Sequence, residues 1–426
     1  MKKLLVVLLI LGLLVPAIAT GAQSSTVTVT WWATERGRDT AATRDMHFTL
    51  ARAFEASHPN IRVALSLFPS RGFATRVLTA IAADEGPDIW YHYHSPDMAV
   101  QGFMMDLTPY FEQSSVDETW FPSALRRAYY DGRYWAVPRD AVSGFIAYNR
   151  DLFDAAGLDY PQDGWTIAEY RALANQLTDR DNDQYGVGAI VGGEGCLLWS
   201  PFSFNLGADV VGPDGRHVAG YMDSPEAVNA MRWCLELVTE DQVTAPPELM
   251  DQFGELVFLS GKIAMQSISD WEIPAITEQA NFNWGVVAPP RFDEDSEVIP
   301  WADSYMYYMW SGSRHPDAAW TLLEWLSGPE AQRIAAEAGV WSPNNPATWQ
   351  ELGWDTDPVR SVSYNQLINA ERVPNYLRSQ YFWDCVGGPL NNVRVRWIEG
   401  GERDLESMMA EEAAAAEACL NENYGN

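Results

Sequence analysis

The stretch DGRYWAVPRDAVSGFIAYNRDLF, Asp131 to Phe153, decides how the rest of the chain is read. Asp131-Gly132 is a turn between aromatic segments, and Tyr134 to Val137 reads as a short strand stopped by Pro138. A second strand follows from Val142 to Tyr148, and Asn149 is placed to cap a helix opening at Arg150-Asp151. Two extended segments joined through Pro138-Arg139-Asp140, with no helix between them, suit a chain leaving one domain and entering another. The same local pattern also suits an ordinary hairpin edge.

Composition bounds the answer. At 426 residues the chain has room for two or three domains, and 47% hydrophobic residues supply full cores. The formal net charge is −30, from 58 acidic and 28 basic side chains. A surface this acidic repels phosphate backbones and anionic lipid, which argues against nucleic-acid partners. The first 22 residues read as a secretory leader: Lys2 and Lys3, an apolar run from Leu4 to Val15, and a small-residue cleavage site at Ala17-Ile18-Ala19 or after Ala22. That run is too short to cross a bilayer comfortably, and no cysteine near it offers a site for lipid attachment. Without Lys2 and Lys3, Lys262 is the sole lysine.

Strand–helix–strand order at the amino end (Val27–Trp31, Ala42–Ser57, Ile61–Phe68) predicts an open α/β sheet, whose ligand crevice lies beyond the carboxyl ends of its strands. Glu35 and Arg36 fall in the loop after the first strand, which also follows Trp32. His92 falls in the strand end Trp90–His94. His92 and His94 could share a face as metal ligands, but no third ligand is evident nearby. Asp179, Asp181 and Asp183 imitate the opening of a calcium loop, yet Gln184 replaces the needed glycine and Ile190 the closing glutamate; a polar turn is the simpler reading. Nucleophile, phosphate-loop and dinucleotide motifs are absent.

Several blocks resemble one known family. Asp131-Gly132, Pro138, Tyr148-Asn149-x-Asp151-Leu152-Phe153, Ala156-Gly157-Leu158 and Trp165-Thr166 stand in the order found in the carbohydrate-binding group of extracytoplasmic solute-binding proteins of ABC importers. Phe258-Leu-Ser-Gly-Lys-Ile-Ala-Met265 with Ser269-Asp270-Trp271, and His315-Pro316-Asp317-Ala318-Ala319-Trp320 with Pro329-Glu330, continue the likeness over nearly the whole mature chain. The resemblance implies a two-lobed α/β fold hinged by three interlobe crossings. The lobes expected are residues 23–138 plus 289–340 and residues 139–288 plus 341–426. It further implies a monomer that closes on a sugar or oligosaccharide and delivers it to a membrane permease, with no cofactor and no catalysis. A binder of glycerol phosphate or polyamine, or a secreted glycoside hydrolase, remains open as an alternative.

The 19 tryptophans suit such a ligand, because indole faces stack on the apolar face of a sugar ring while carboxylates, guanidinium and imidazole groups meet its hydroxyls. Core packing competes for each of them. The expected contacts are Trp32, Glu35, Arg36, His92, Asp140, Trp199, Trp271, Trp301, Asp303, Trp341 and Trp383; Asp140 could instead form a hinge salt bridge, and Glu35 could pair with Arg36. Four cysteines in an exported chain allow two disulfides in three pairings. Cys196–Cys234 and Cys385–Cys419 are favoured because each pair falls within one stretch of the second lobe; four buried free thiols are the alternative.

Overall fold

The computed structural model describes residues 26–35, 41–69, 72–92, 97–188, 194–197, 205–370, 374–379 and 381–425. The proposed leader lies outside the described residues, as do Arg36 and Trp199.

Strand β1 (Val27–Glu35) alternates Val29, Trp31 and Ala33 inward with more exposed Thr28 and Thr30, the period-two pattern of a sheet covered on one face. It runs further than its sequence suggested, because parallel pairing with β2 (Ile61–Pro69) continues in register from Val27↔Ile61 to Glu35↔Pro69. Helix α1 (Ala41–Ser57) joins them and buries Met46, Leu50 and Phe54, spaced one turn apart. Strand β3 (Ile89–His92) pairs parallel to β1 on its other side. Gly86-Pro87-Asp88 leads into β3. The Asp88 carboxylate accepts from the backbone and hydroxyl of Thr30 (2.8 and 2.7 Å) and from Ser313 (2.6 Å), which ties β1, β3 and the loop after the last strand of the sheet together.

After helix α2 (Pro122–Ala128), strand β4 (Ala136–Pro138) completes an edge of this first sheet, and the chain enters a second sheet three residues later as β5 (Val142–Asn149). Every residue of β5 is buried. Phe145 and Ala147 belong to one apolar core while Ile146 and Tyr148 belong to another, as a central strand covered on both faces requires. Asn149 caps α3 (Arg150–Ala156) by accepting from the backbone of Asp151 and Leu152, and Gly157, at φ 68°, closes it in the left-handed region. Thr166 and Glu169 form a reciprocal capping box at the start of α4 (Ile167–Gln176). The second sheet is finished by β6 (Tyr185–Val187), β7 (Ile263–Ser269) and β8 (Trp284–Val287), in the order β8-β5-β7-β6.

The chain returns through a two-residue strand, β9 (Ala302–Asp303), still paired with Ser143 and Val142, before β10 (Met306–Met309) inserts antiparallel between β3 and β4. The first sheet therefore reads β2-β1-β3-β10-β4. Helices α5 (Pro316–Ser327) and α6 (Pro329–Glu337) cover it. Helix α7 (Arg360–Asn369) lies across the seam: Val359 and Val362 pack on the core around Phe145 and Ile268, whereas Tyr364 and Leu367 pack with the first sheet's core. A separate helical core carries Cys196 bonded to Cys234 and Cys385 bonded to Cys419, together with the carboxyl-terminal helix Leu405–Tyr424.

Where the backbone passes between sheets it is buried, so its polar groups need partners inside the protein. Two fully buried amides supply them. Asn344 donates to the carbonyls of Pro138 (2.9 Å) and Ser327 (3.0 Å), and Gln332 donates to those of Arg139 (2.8 Å) and Leu326 (3.0 Å). The Asn344 N–H in turn donates to the Gln332 side-chain carbonyl at 2.9 Å. Replacing Asn344 by Ala removes the Asn344 donor from the buried Pro138 carbonyl and leaves the Ser327 carbonyl only the longer bond from Trp120 Nε1 (3.4 Å), so Asn344→Ala is expected to lower unfolding free energy by roughly 1–3 kcal/mol. Urea unfolding followed by tryptophan fluorescence measures this, and a loss near zero would show that the knot does not carry the passage.

Candidate functional site

The carboxyl ends of β1, β3 and β4 and the amino end of β10 gather at one edge of the first sheet. Glu35 and His92 stand at two of those ends by their backbone positions; their side chains lie outside what is described. Next to them is Arg139. Its guanidinium lies 4.2 Å from the ring centroid of Tyr91, 4.7 Å from Trp341 and 5.0 Å from Tyr305. Burial alone would favour losing its proton, but the charge and hydrogen bonds of Asp140 raise its pKa above the usual arginine range.

Asp140 is 1% exposed, and both of its carboxylate oxygens are engaged. One accepts from Arg139 Nε (3.0 Å) and Nη2, the other from the Tyr305 N–H (2.8 Å), while its own carbonyl accepts from the Ser304 hydroxyl (2.6 Å). The physical reason is local: a buried guanidinium at the first passage needs a carboxylate beside it. Asp140 thus fastens the first passage to the second. Asp303 is similar, buried with Arg127 Nε 3.6 Å from its Oδ1. Trp301 is 7% exposed and packs on Val142 and Ile299. All three, expected as ligand contacts, are buried.

Trp32 turns to the face of the first sheet opposite Trp31, where its ring meets Phe68 at 4.9 Å. Alternation along β1 put it there; of two adjacent tryptophans only one can face a given side. Trp383 is 41% exposed and stands edge-on to Phe382 and Tyr376 (5.1 and 6.0 Å), at the start of a π-helical turn on the helical core. Asp179 to Gln184 closes on itself as a tight turn, and Asp183 pairs with Lys262 at 2.9 Å. Among the described residues no group of three His, Cys, Asp or Glu side chains is placed to hold a metal.

Trp271 and Trp341 do come together. They line one small recess with Asp270, Trp354 and Arg360. Trp271 is held on a single turn, Asp270–Glu272, fixed by a reciprocal capping box between Ser269 and Glu272, and its indole is 43% exposed. Trp341 reaches the recess from the third passage. Asp270, Trp354 and Arg360 were not singled out from the sequence. Asp270 precedes Trp271 in the quoted block and carried that signal; nothing in the local sequence marks Arg360.

Asp270 is 5% exposed. Its Oδ2 accepts from the Ser143 N–H at 2.7 Å, at the foot of β5, while its Oδ1 is buried without a hydrogen-bond partner. Burial pushes its pKa up to about 6, against 3.8 ordinarily; hydrogen bonds from Ser363 and Ser143 oppose the shift only in part. A folded-state pKa above the unfolded one means stabilisation that is complete below pH 3.8 and is lost as pH rises through about 6. Asp270→Asn, which mimics the protonated acid, is expected to be more stable than the parent by up to about 3 kcal/mol near neutral pH. The gap should close toward pH 4 in thermal melts taken across a buffer series from about 4 to about 8; a gap that does not change with pH contradicts the assignment.

Comparison with known proteins fits this geometry. The profile for bacterial extracellular solute-binding proteins matches residues 44–333. An erythritol/L-threitol-binding protein of Mycolicibacterium smegmatis is 24% identical over 323 residues, which are 66% of this chain and 64% of that protein. A diacetylchitobiose binding protein of Streptomyces coelicolor is 23% identical over 385 residues, 82% of this chain and 84% of that one. Among solved structures, an ABC substrate-binding protein from Listeria monocytogenes in complex with cycloalternan superposes with a TM-score of 0.76 at 22% identity, over 94% of this chain and 100% of that one. The cyclic alpha-maltosyl-1,6-maltose binding protein of Arthrobacter globiformis gives 0.76 at 19% identity, covering 93% and 100%. The fold is the two-lobed α/β fold of these structures. With the profile matched over more than half of its length, the chain belongs to the family of bacterial extracellular solute-binding proteins.

Proposed function

We propose that this protein captures a sugar or oligosaccharide between two closing lobes and hands it to the permease of an ABC importer. The lobes are residues 23–138 with 289–340 and residues 139–288 with 341–426, and the segment from Arg291 to Asp303 keeps backbone contacts with the second lobe. The family is extracytoplasmic and its members are binding proteins, and the proposed leader agrees with export. Among the described residues no helix is long and apolar enough to cross a membrane. Release to a permease and action as a monomer follow from the same reading.

The observation that carries it is the half-exposed indole of Trp271, held rigidly at the end of β7 and facing a recess completed by Trp341 from the third passage. A large aromatic left open to water on a fixed turn offers a flat apolar face, and the adjoining carboxylate and guanidinium offer an acceptor and donors. That combination matches the apolar face and hydroxyl rim of a sugar ring. The diacetylchitobiose-binding relative and the cycloalternan complex support a carbohydrate. A linear polyol is the second reading, favoured by the erythritol/L-threitol-binding relative.

Because two lobes contribute, a ligand gains most of its contacts in the closed state and shifts the population toward it. A saccharide present at about 100 times its Kd should stabilise the protein by about 2.7 kcal/mol. Thermal-shift screening of a saccharide and polyol panel is expected to raise Tm for the true ligand, and Trp271→Ala to weaken that ligand by about tenfold or more. Retention of full affinity by Trp271→Ala would remove the indole from the site.

A further inference from the structure

We propose that Asp270 and Arg360 form a proton-operated latch: the ionised carboxylate draws the guanidinium off Trp354 and onto itself, and the neutral acid releases it. The latch ties the turn carrying Trp271 to α7. It belongs to the protein alone and does not rest on the identity of the ligand.

Three observations carry it. The first is a carboxylate with too few partners. Asp270 Oδ2 accepts from the Ser143 N–H at 2.7 Å and lies 3.4 Å from the Ser143 hydroxyl, which is itself engaged with the Ser363 hydroxyl at 2.8 Å. Its Oδ1 is buried and has no donor. An ionised carboxylate so placed is costly, and either a proton or a cation relieves it. The second is a cation that is not committed to an acid. Arg360 lines the same recess, with its guanidinium 4.2 Å from the Trp354 ring centroid. Among the described residues no carboxylate lies within ion-pair distance of that guanidinium. Asp357, in the loop before α7, uses its Oδ1 on the N–H groups of Val359 and Arg360 at 3.0 and 2.8 Å. Burial is the larger influence on both members of the pair, raising the pKa of Asp270 and lowering that of Arg360; for each, the charge of the other opposes it. An arginine stem has several free rotors, so the guanidinium can exchange the indole face for the carboxylate while α7 stays in place.

The third observation is what else faces the pair. Of the residues lining the recess, Asp270 and Arg360 alone carry charge. The third passage contributes Gly339 to Ser342, and the helix after the turn contributes Pro274. From β5 come the amide and hydroxyl of Ser143, and from α7 the hydroxyl of Ser363. Glu272, on the same turn as Asp270, is held by the Ser269 N–H at 2.8 Å, and Asp357 faces Arg360 from the loop before α7. One proton on Asp270 therefore decides between two contacts of one guanidinium. The latch closes as pH rises through the Asp270 midpoint, which stands at about 6 before the pair forms and moves lower as it does. Asp270 follows β7 of the second sheet, while α7 packs on both cores, so the closed latch joins the Trp271 turn to the helix that spans the seam.

The test is NMR of the intact, unliganded protein, isotope-labelled at arginine and tryptophan nitrogens and at aspartate carboxyl carbons, titrated from about pH 4 to about pH 8. The Arg360 Nε–H and Trp354 indole N–H signals, assigned with Arg360→Lys and Trp354→Phe, are expected to move together with the Asp270 carboxyl signal, on one midpoint at or below about 6. Asp270→Asn keeps an oxygen for the Ser143 N–H and cannot ionise, so it should hold the Arg360 and Trp354 signals at their low-pH positions throughout. Arg360→Met should raise the Asp270 midpoint by about one pH unit, and Arg360→Lys, which keeps the charge, should restore most of that change. Titration of Asp270 with a stationary Arg360 signal overturns the latch. So does an Arg360 signal that moves equally in Asp270→Asn, or an Asp270 midpoint that Arg360→Met leaves unchanged. Should Asp270→Asn fail to melt cooperatively, the midpoint in Arg360→Met decides the matter alone.

Discussion

The whole arrangement depends on burying backbone where it changes sheets. Pro138 and Arg139 carry carbonyls into the interior between two separate cores, where water cannot reach them. The amides of Asn344 and Gln332 answer those carbonyls, and Ala141 donates to the Ser342 carbonyl at 3.2 Å. The first and third passages are therefore one hydrogen-bonded unit. Arg139 and Asp140 add the second passage to it through Tyr305 and Ser304. Charge so far from solvent is tolerated because the guanidinium is sandwiched by aromatic faces and its counter-ion is adjacent in the chain. A joint built this way ties the three segments together where they cross.

The recess adjoins this joint. Asp270 touches Ser143 at the foot of β5, two residues beyond the first passage, and Trp341 contacts both Arg139 and the recess. The recess and the first and third passages therefore share side chains. The acidic surface does no such work; its charge keeps the protein dispersed and discourages polyanions.

Much of the fold was legible. Alternation in Val27–Trp31, the cap at Asn149 and the strand–Pro–strand pattern around Pro138 follow from local rules, and the structure has those elements where the rules put them. The site was legible in part. Trp271 and Trp341, both expected as ligand contacts, line one recess, while Asp140 and Asp303 are buried beside arginines; sequence alone cannot tell a carboxylate that faces a cleft from one that neutralises a neighbouring arginine. Strand alternation places Trp32 on the face opposite Trp31, beside Phe68. Arg360 was invisible because its role comes from α7 lying across a seam between segments more than 200 residues apart in sequence, such as Ser143 and Ser363, whose hydroxyls meet at 2.8 Å.

The two disulfides show how differently the body and the joint are built. Cys196–Cys234 and Cys385–Cys419 both sit in the helical core of the second half, and each closes a loop that begins and ends there. Covalent reinforcement thus stops short of every passage between sheets. Cross-links therefore stiffen the helical core alone, and the strands that pass between the sheets are held by hydrogen bonds and ion pairs.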